Sequence, residues 1–284
     1  MCNIGIDIGG TTIKLGVLNA AGALAAKRSV DTPDTPDGVA DAIREAVSEF
    51  SVESLGISTA GTVDRKTLSL TDLGGNVNAW GHYPLKDALA ARGVRLDALE
   101  NDMNCALIGE MHGADAVAHT LWIGIGTGIG GAYYGEDGLF RGDRGHALEI
   151  GHTIVVRGGR RCSCGQRGCA EAYFSAGALK AARDAAGFSD TQAFLASEDP
   201  AARAYLEGLA DFCIGLENTF DPARIVIGGG IAEYAPQIGR LLSELVRSRG
   251  NANCRGRIAV ATKGNDAGMI GAALLGKAAR EEAQ

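Results

Sequence analysis

The sequence predicts an α/β fold made of two related halves. Two observations carry that prediction. Residues 4–18 (IGIDIGGTTIKLGVL) and 121–135 (LWIGIGTGIGGAYYG) repeat one design, two apolar strands joined by a glycine–threonine turn. An echo of this kind suggests that each half contributes one such hairpin. Stretches of helical period then alternate with further short apolar runs, as an α/β chain requires.

The elements read as follows. Residues 3–8 and 13–18 are strands with GGTT between them. After Pro36, Val39, Ile43, Ala46, Val47 and Phe50 recur on one helical face. LGISTA (55–60) is a buried strand, and residues 68–84, rich in Gly and Asn, read as loop. VRLDAL (94–99) alternates like a strand and runs into ENDMN, after which NCALIGEMHGA is helical. TLWIGIG (120–126) and GGAYYG (130–135) form the second hairpin. Residues 175–220 are mainly helical, and RIVIGGGI (224–231) is strand, glycine turn, then helix. Asp266 is placed to cap a last helix, AGMIGAALLGKAAREEA.

Composition bounds the function. The 284 residues are 46% hydrophobic and 21% charged, enough for a sizeable core in one large or two modest domains. The net charge of -7 argues against a broad electrostatic nucleic-acid footprint. The start, MCNIGIDIGG, lacks a basic, long apolar leader, and no run approaches the ~20 apolar residues that span a bilayer. A cytoplasmic protein with no membrane partner is expected. Its seven cysteines are then thiols or metal ligands rather than disulfides. Glycine is the outlier at 42 residues, and it clusters. Clustered glycine marks backbone that bends sharply or approaches something closely.

Asp7 and the turn Gly9-Gly10-Thr11-Thr12, followed by Lys14, could aim N–H groups and hydroxyls at phosphate oxygens, with Asp7 holding Mg²⁺; an ordinary hairpin turn would look the same. Gly124, Gly126, Gly128, Gly130 and Gly131 interrupt what would otherwise be a good strand. That cost needs a reason, either a ligand close by or tight β-packing. GTGIGG contains GxGxxG, but strand rather than helix follows, so a dinucleotide fold is disfavoured. Gly228-Gly229-Gly230, between strand and helix, could let a flat base lie on backbone, or be a turn. Glu100-Asn101-Asp102 ends a strand, where a carboxylate suits a general base for an alcohol; capping of the next helix is the plainer reading. His152, Cys162, Cys164 and Cys169 make a Cys₃His set in a short glycine-rich loop, right for a closed, structural zinc site. Glu149 and Glu171 flank that loop, as sugar acceptors or as solvated charge.

In order, DIGGTTIK, ISTAG, ENDMN, GIGTGIGG, EIGH, CSCGQRGC-E, GGGI and NDAGMIGAA resemble the ROK family of repressors, open reading frames and sugar kinases, from Gly5 to about Ala273. The resemblance implies an actin-like (ribonuclease H-like) two-domain fold with a zinc-binding loop. The smaller domain would hold residues 1–103 and the helix 266–284, the larger 104–265, with a cleft between them. It implies that ATP meets Asp7, Gly9, Gly10, Thr11, Thr12 and Lys14, then Gly126, Thr127, Gly128, Gly130 and Gly131, with Gly228, Gly229 and Gly230 toward the adenosine. Asp102 matches the catalytic base. Asn101, Glu149, His152 and Glu171 match sugar ligands, with His152 also on the zinc. Gly61, Asn76 and Asn78 fall where the sugar loops lie. The implied reaction is ATP-dependent phosphorylation of a hexose at its 6-hydroxyl, with N-acetylmannosamine or N-acetylglucosamine as alternatives, by a homodimer or higher homo-oligomer. Leu148 stands where many members have a small residue, and the stretch around Asn76 lacks a common Pro-Gly; both touch sugar choice. A ROK repressor would need a DNA-binding module before the first hairpin, which here begins at Gly5. A sugar sensor without catalysis would be expected to lose Asp102 or the phosphate glycines. A general actin-like ATPase would not need the zinc loop.

Overall fold

The computed structural model describes residues 1–72, 81–113 and 117–284. The chain divides into two compact units. Met1–Ala116, Gly142–His146 and Asn265–Gln284 form the first; Val117–Arg141 and Ala147–Gly264 form the second.

In the first unit, β1 (Cys2–Ile8), β2 (Thr12–Leu18) and β3 (Leu24–Asp31) run antiparallel. Helix α1 (Pro36–Val47) starts where Thr35 accepts from the Gly38 N–H and Pro36 takes a position that needs no donor. β4 (Val52–Thr59) returns parallel to β1. A small ribbon of β5 (Thr62–Asp64) and β6 (Ser69–Asp72) and the helix α2 (Leu85–Ala90) follow. β7 (Ala98–Asn101) pairs parallel with β4 and leads straight into α3 (Asp102–Met111). The sheet order is β3-β2-β1-β4-β7.

The second unit repeats this plan. β8 (Thr120–Ile125), β9 (Ile129–Gly135) and β10 (Gly138–Leu139) are antiparallel. After a 3₁₀ turn at Ile150–His152 and an irregular loop come α4 (Glu171–Phe174), α5 (Ala176–Ala185), α6 (Thr191–Ala196) and the long α7 (Pro200–Phe220). β11 (Arg224–Gly228) lies parallel to β8; α8 (Ile231–Tyr234) and α9 (Ile238–Arg249) lead to β12 (Ile258–Val260), parallel to β11. The order is β10-β9-β8-β11-β12, the same third-second-first-fourth-fifth arrangement as in the first sheet. The echo between the two hairpins is therefore an echo between whole sheets. The final helix, α10 (Ala267–Glu282), belongs to the first unit.

Alternation explains the first core. Ile4, Ile6 and Ile8 of β1 meet Val39, Ile43 and Val47 of α1 and Leu85 and Leu89 of α2. The other face of the same sheet is lined by small residues, and α10 lies on it almost backbone to backbone. A Cβ on Gly5 would collide with Met269 O, and one on Gly56 with Ala272 O. Gly271 likewise admits α3, since a Cβ there would collide with Cys105 O. Part of the glycine excess thus serves helix–sheet contact rather than a ligand. Helix α3, assigned to the larger domain on sequence grounds, packs on α10 within the first unit. The second core joins Leu121, Ile123 and Ile125 of β8 and Ile225 and Ile227 of β11 to Leu209, Phe212 and Leu216 of α7 and Leu242 of α9.

Three local expectations change. Asp266 precedes α10 but makes no side-chain cap bond; its carboxylate takes the Lys27 ammonium at 2.8 Å instead. Residues 68–84 include a strand, β6, rather than loop alone. The alternation in 94–99 yields a ladder only from Ala98, because Asp97 turns its carboxylate to the Leu55 N–H at 2.9 Å. Among the described residues no helix is long and apolar enough to cross a membrane.

Candidate functional site

Parallel strands gather distant residues at their carboxyl ends, where open α/β sheets bind ligands. In the first unit, β1 ends at the 9–11 turn, β4 ends just before Gly61, and β7 ends at Asn101 and Asp102. In the second, β8 ends at the 126–128 turn and β11 at Gly228. The two glycine turns, ISTAG, ENDMN and GGGI sit at such ends.

The first turn closes on itself. Gly9 N–H donates to Thr12 O at 3.0 Å, and a Cβ at Gly9 would crowd that oxygen at 2.9 Å. Thr32, just past the end of β3, fastens it: its hydroxyl donates to Gly9 O at 2.7 Å and its N–H to Thr11 O at 3.0 Å. Gly10 and Thr11 remain exposed at the tip, and Thr12 is half-buried. Asp7 sits behind them, opposite Lys14 across the ladder. Its neighbour on β4 is Ser58, whose hydroxyl donates to Asp7 Oδ1 at 2.7 Å. Burial raises the Asp7 carboxyl above its ordinary range; the Ser58 bond and the Lys14 charge pull the other way. The first turn of α10 reaches this point, with Gly268 close against the carboxylate: a Cβ there would lie 3.2 Å from Asp7 Cγ. A cation beside Asp7 would offset the burial cost, so the residues present fit a role in holding Mg²⁺.

Asn101 and Asp102 divide their duties. Asn101 caps α3, its side-chain oxygen accepting from the Met103 and Asn104 N–H groups, while Nδ2 donates to Gly61 O at 3.1 Å. Asp102 is the first helical residue, half-buried, with Oδ1 accepting from Met103 N–H at 2.9 Å. Gly61 has φ 81°, which lets the ISTAG loop turn its carbonyl to Asn101. Glu100, buried at 4% exposure, is a brace: Oε1 accepts from Asn101 N–H and Asn104 Nδ2, each at 3.0 Å, and Oε2 meets Arg65 at 3.4 Å. Gly61, Asn101 and Asp102 thus come together. Asn76 and Asn78 lie outside the described residues.

The second turn is held differently. Gly126 N–H donates to Gly128 O at 2.9 Å, and Gly126 O accepts from Ala176 N–H at the start of α5. Glu171 Oε2 accepts from Ile129 N–H at 3.0 Å, and a Cβ on Gly128 would lie 2.5 Å from that oxygen. Gly131 makes room for Ile150. Of these three glycines only Gly126 faces open space, with nothing within 4 Å of a built Cβ, and Thr127 beside it is exposed. Gly130 is half-buried on β9. Gly228 pairs with Gly124 across the ladder and lies under the Trp122 ring; Gly229, at φ 78°, and Gly230 are exposed beside the turn's strand.

His152 ends the 3₁₀ turn, and its Nδ1 lies 3.7 Å from Cys162 Sγ; Cys164 and Cys169 sulfurs are also 3.7 Å apart. The four ligand atoms all fall within 4.8 Å of one another. A tetrahedral ion with metal–sulfur bonds of about 2.3 Å has sulfur–sulfur edges of about 3.8 Å, so the spacing fits zinc. Burial, then the neighbouring thiols, push Cys169 up to about 12, so ionising all three sulfurs calls for a cation among them. Gly168, at φ 90°, passes under Val156 and closes the loop. Glu149 is exposed just before His152, and its backbone oxygen accepts from His152 N–H at 3.0 Å. Leu148 holds φ 67°, a left-handed conformation costly for a residue with a Cβ, while its side chain is buried.

The sequence reading gave Ser58, Thr32 and Ser163 no role and took Glu100 only as part of the Glu100-Asn101-Asp102 strand end. Ser58 and Ser163 had a signal in their places inside the ISTAG and CSCGQRGC motifs.

The ROK family model matches residues 3–279. A glucokinase of Streptomyces coelicolor is 33% identical, with 96% of this chain and 97% of that protein covered. An N-acetyl-D-glucosamine kinase of Escherichia coli is 32% identical, covering 95% and 98%. The crystal structure of a ROK family glucokinase from Streptomyces griseus with glucose and AMPPNP superposes with a TM-score of 0.80 at 32% identity, covering 98% of this chain and all of that one. The architecture described above is the actin-like α/β fold of these sugar kinases.

Proposed function

We propose that this chain, which belongs to the ROK family, is an ATP-dependent sugar kinase that phosphorylates a hexose at the 6-hydroxyl. The observation that carries the reading is Asp102, a half-buried carboxylate at the carboxyl end of parallel strands, set at the first position of α3 beside Asn101, which caps that helix and holds Gly61. Its relationship to kinases, one of them solved with glucose and AMPPNP, agrees.

In this reading Asp102 accepts the proton of the sugar hydroxyl as its oxygen bonds to the γ-phosphorus; the bond to the bridging oxygen breaks and ADP leaves. The 9–12 and 126–131 turns hold the phosphates, with Lys14 behind the first and Gly228, Gly229 and Gly230 toward the adenosine. Asp7 would hold Mg²⁺, directly or through water, and that ion supplies neutralising charge on the phosphate oxygens. Asn101, Glu149, His152 and Glu171 take sugar hydroxyls, together with Gly61 and the Asn76–Asn78 stretch. His152 serves twice because imidazole has two nitrogens: Nδ1 toward the sulfurs and Nε2 for a hydroxyl. Cys162, Cys164, Cys169 and His152 would hold a structural Zn²⁺ that fixes this loop.

The relatives include both a glucokinase and an N-acetyl-D-glucosamine kinase, so an N-acetylhexosamine is the alternative substrate. Free thiols and dependence on ATP suit a cytoplasmic setting. An exposed β-branched run, Ile154-Val155-Val156, borders an apolar groove of about 830 Å³ beside Phe212, Leu216 and Phe220, which supports a homodimer. The deciding experiment measures ADP release with ATP and Mg²⁺ across hexoses and N-acetylhexosamines. One sugar should stand out with a 6-phosphate product; ATP turnover indifferent to every sugar would sink the proposal. Metal analysis of the folded protein should return about one zinc per chain.

A further inference from the structure

The metal loop touches more than the sugar side. Glu171 follows the last cysteine by two residues, and its two oxygens face opposite ways. Oε1 accepts from the Ser163 hydroxyl at 3.0 Å and lies 3.6 Å from Cys162 Sγ. Oε2 accepts from Ile129 N–H at 3.0 Å, at the exit of the second glycine turn. Ser163 itself sits between two cysteines of the Cys₃His set, so its hydroxyl is placed by them. A second contact runs in parallel: the 3₁₀ turn that carries His152 packs on β9 so closely that a Cβ on Gly151 would collide with Ile129 O. Both routes end at Ile129. The Glu171 oxygen also occupies the space that a Cβ on Gly128 would take.

We propose that Glu171 is a positioning residue for the 126–131 turn, tying it to the metal loop so that the ion that orders the loop also orders the turn. A carboxylate bonded to a backbone N–H is a charge-assisted contact, and here its other end is anchored by a hydroxyl rather than free in water. Loss of the ion would release Ser163, then Glu171, then the Ile129 amide. If the turn receives nucleotide phosphates, as the proposed function holds, metal occupancy then sets nucleotide affinity in the absence of sugar.

The test follows amide hydrogen exchange in peptides spanning 124–131, with wild type, Ser163→Ala, Glu171→Gln and Glu171→Ala, each as isolated and after chelation. Exchange in this segment should quicken about tenfold or more in Glu171→Ala and in chelated wild type, as expected for the loss of one charge-assisted hydrogen bond that holds the turn closed. Chelating Glu171→Ala should add little, because the link is already cut. Glu171→Gln should stay near wild type, since its amide oxygen still accepts from Ile129. Ser163 is exposed, so its alanine variant covers the case in which Glu171→Ala does not fold. Unchanged exchange on chelation, or full additivity of chelation and Glu171→Ala, overturns the proposal. AMPPNP affinity without sugar, measured on the same samples, should fall in step with exchange. Quickened exchange with unchanged AMPPNP affinity would keep the link and remove the turn from the nucleotide site.

Discussion

The two glycine turns look alike in sequence and are built on matching sheets, yet they are secured by opposite means. The first is closed by its own backbone, with the Thr32 hydroxyl, just past the end of β3, fastening Gly9. The second borrows Glu171 from the start of α4, 42 residues away, and the amide of Ala176 from α5. A turn fastened locally keeps its shape whatever happens to the rest of its unit. A turn fastened remotely answers to whatever orders its anchor. The two sheets share one strand order; the difference lies in the segment running from β10 into α5, which supplies both Glu171 and Ala176 to the second turn.

Substitutions can break or sharpen this contrast. The largest effect is expected beside the first turn, where Asp102 shares its unit. Asp102→Ala should lower turnover by about 10²–10⁴-fold, the usual contribution of a general base, with sugar binding by calorimetry retained. Near-normal turnover would remove the base assignment.

Asp7→Asn should separate stability from activity. Burial raises the Asp7 carboxyl, so the folded state binds that proton more tightly than the unfolded chain. Stability linked to this group therefore falls as pH rises through the unfolded value of about 3.9, and the full cost remains above the folded value. Asparagine keeps an acceptor for Ser58 and carries no charge. Its Tm at pH 7 should match or exceed wild type, while turnover falls about a hundredfold if Asp7 holds Mg²⁺ as proposed. A lower Tm with unchanged turnover would reverse both assignments.

Within the second turn, Gly128→Ala and Gly126→Ala should part company. The first meets the Glu171 oxygen and should cost about 1–3 kcal/mol in thermal or denaturant unfolding. The second points into open space and should change stability by less than about 0.5 kcal/mol, showing instead in AMPPNP affinity. Equal stability losses would mean that Glu171 does not anchor the turn. The smallest effect belongs to Thr32→Val, which removes one hydroxyl bond to Gly9 O. About 0.5–1.5 kcal/mol should be lost, with hydrogen exchange at 126–131 untouched.

Local order carried much of this protein in plain view. Each hairpin lies within fifteen consecutive residues, and the four candidate metal ligands within eighteen, from His152 to Cys169. Alternation over such short spans is decided by neighbours in the chain, so strands, turns and the Cys₃His set could be read directly. Helix α1 announced itself through Thr35, Pro36 and its apolar face. The strand β3, by contrast, has Leu24 half-buried and its remaining residues exposed, so it carries no inward pattern to read.

What glycine is for could not be read that way. Gly5, Gly56 and Gly271 look no different in sequence from Gly126, but three of them admit a helix and one faces open space. Asp266 read as a helix cap and Glu171 as a sugar acceptor or solvated charge, and folding gave each a partner far along the chain, Lys27 in one case and Ile129 in the other. Spacing along the backbone sets which chemical groups are at hand; only packing between distant segments sets which of them meet, because those contacts exist solely once both surfaces have left water together.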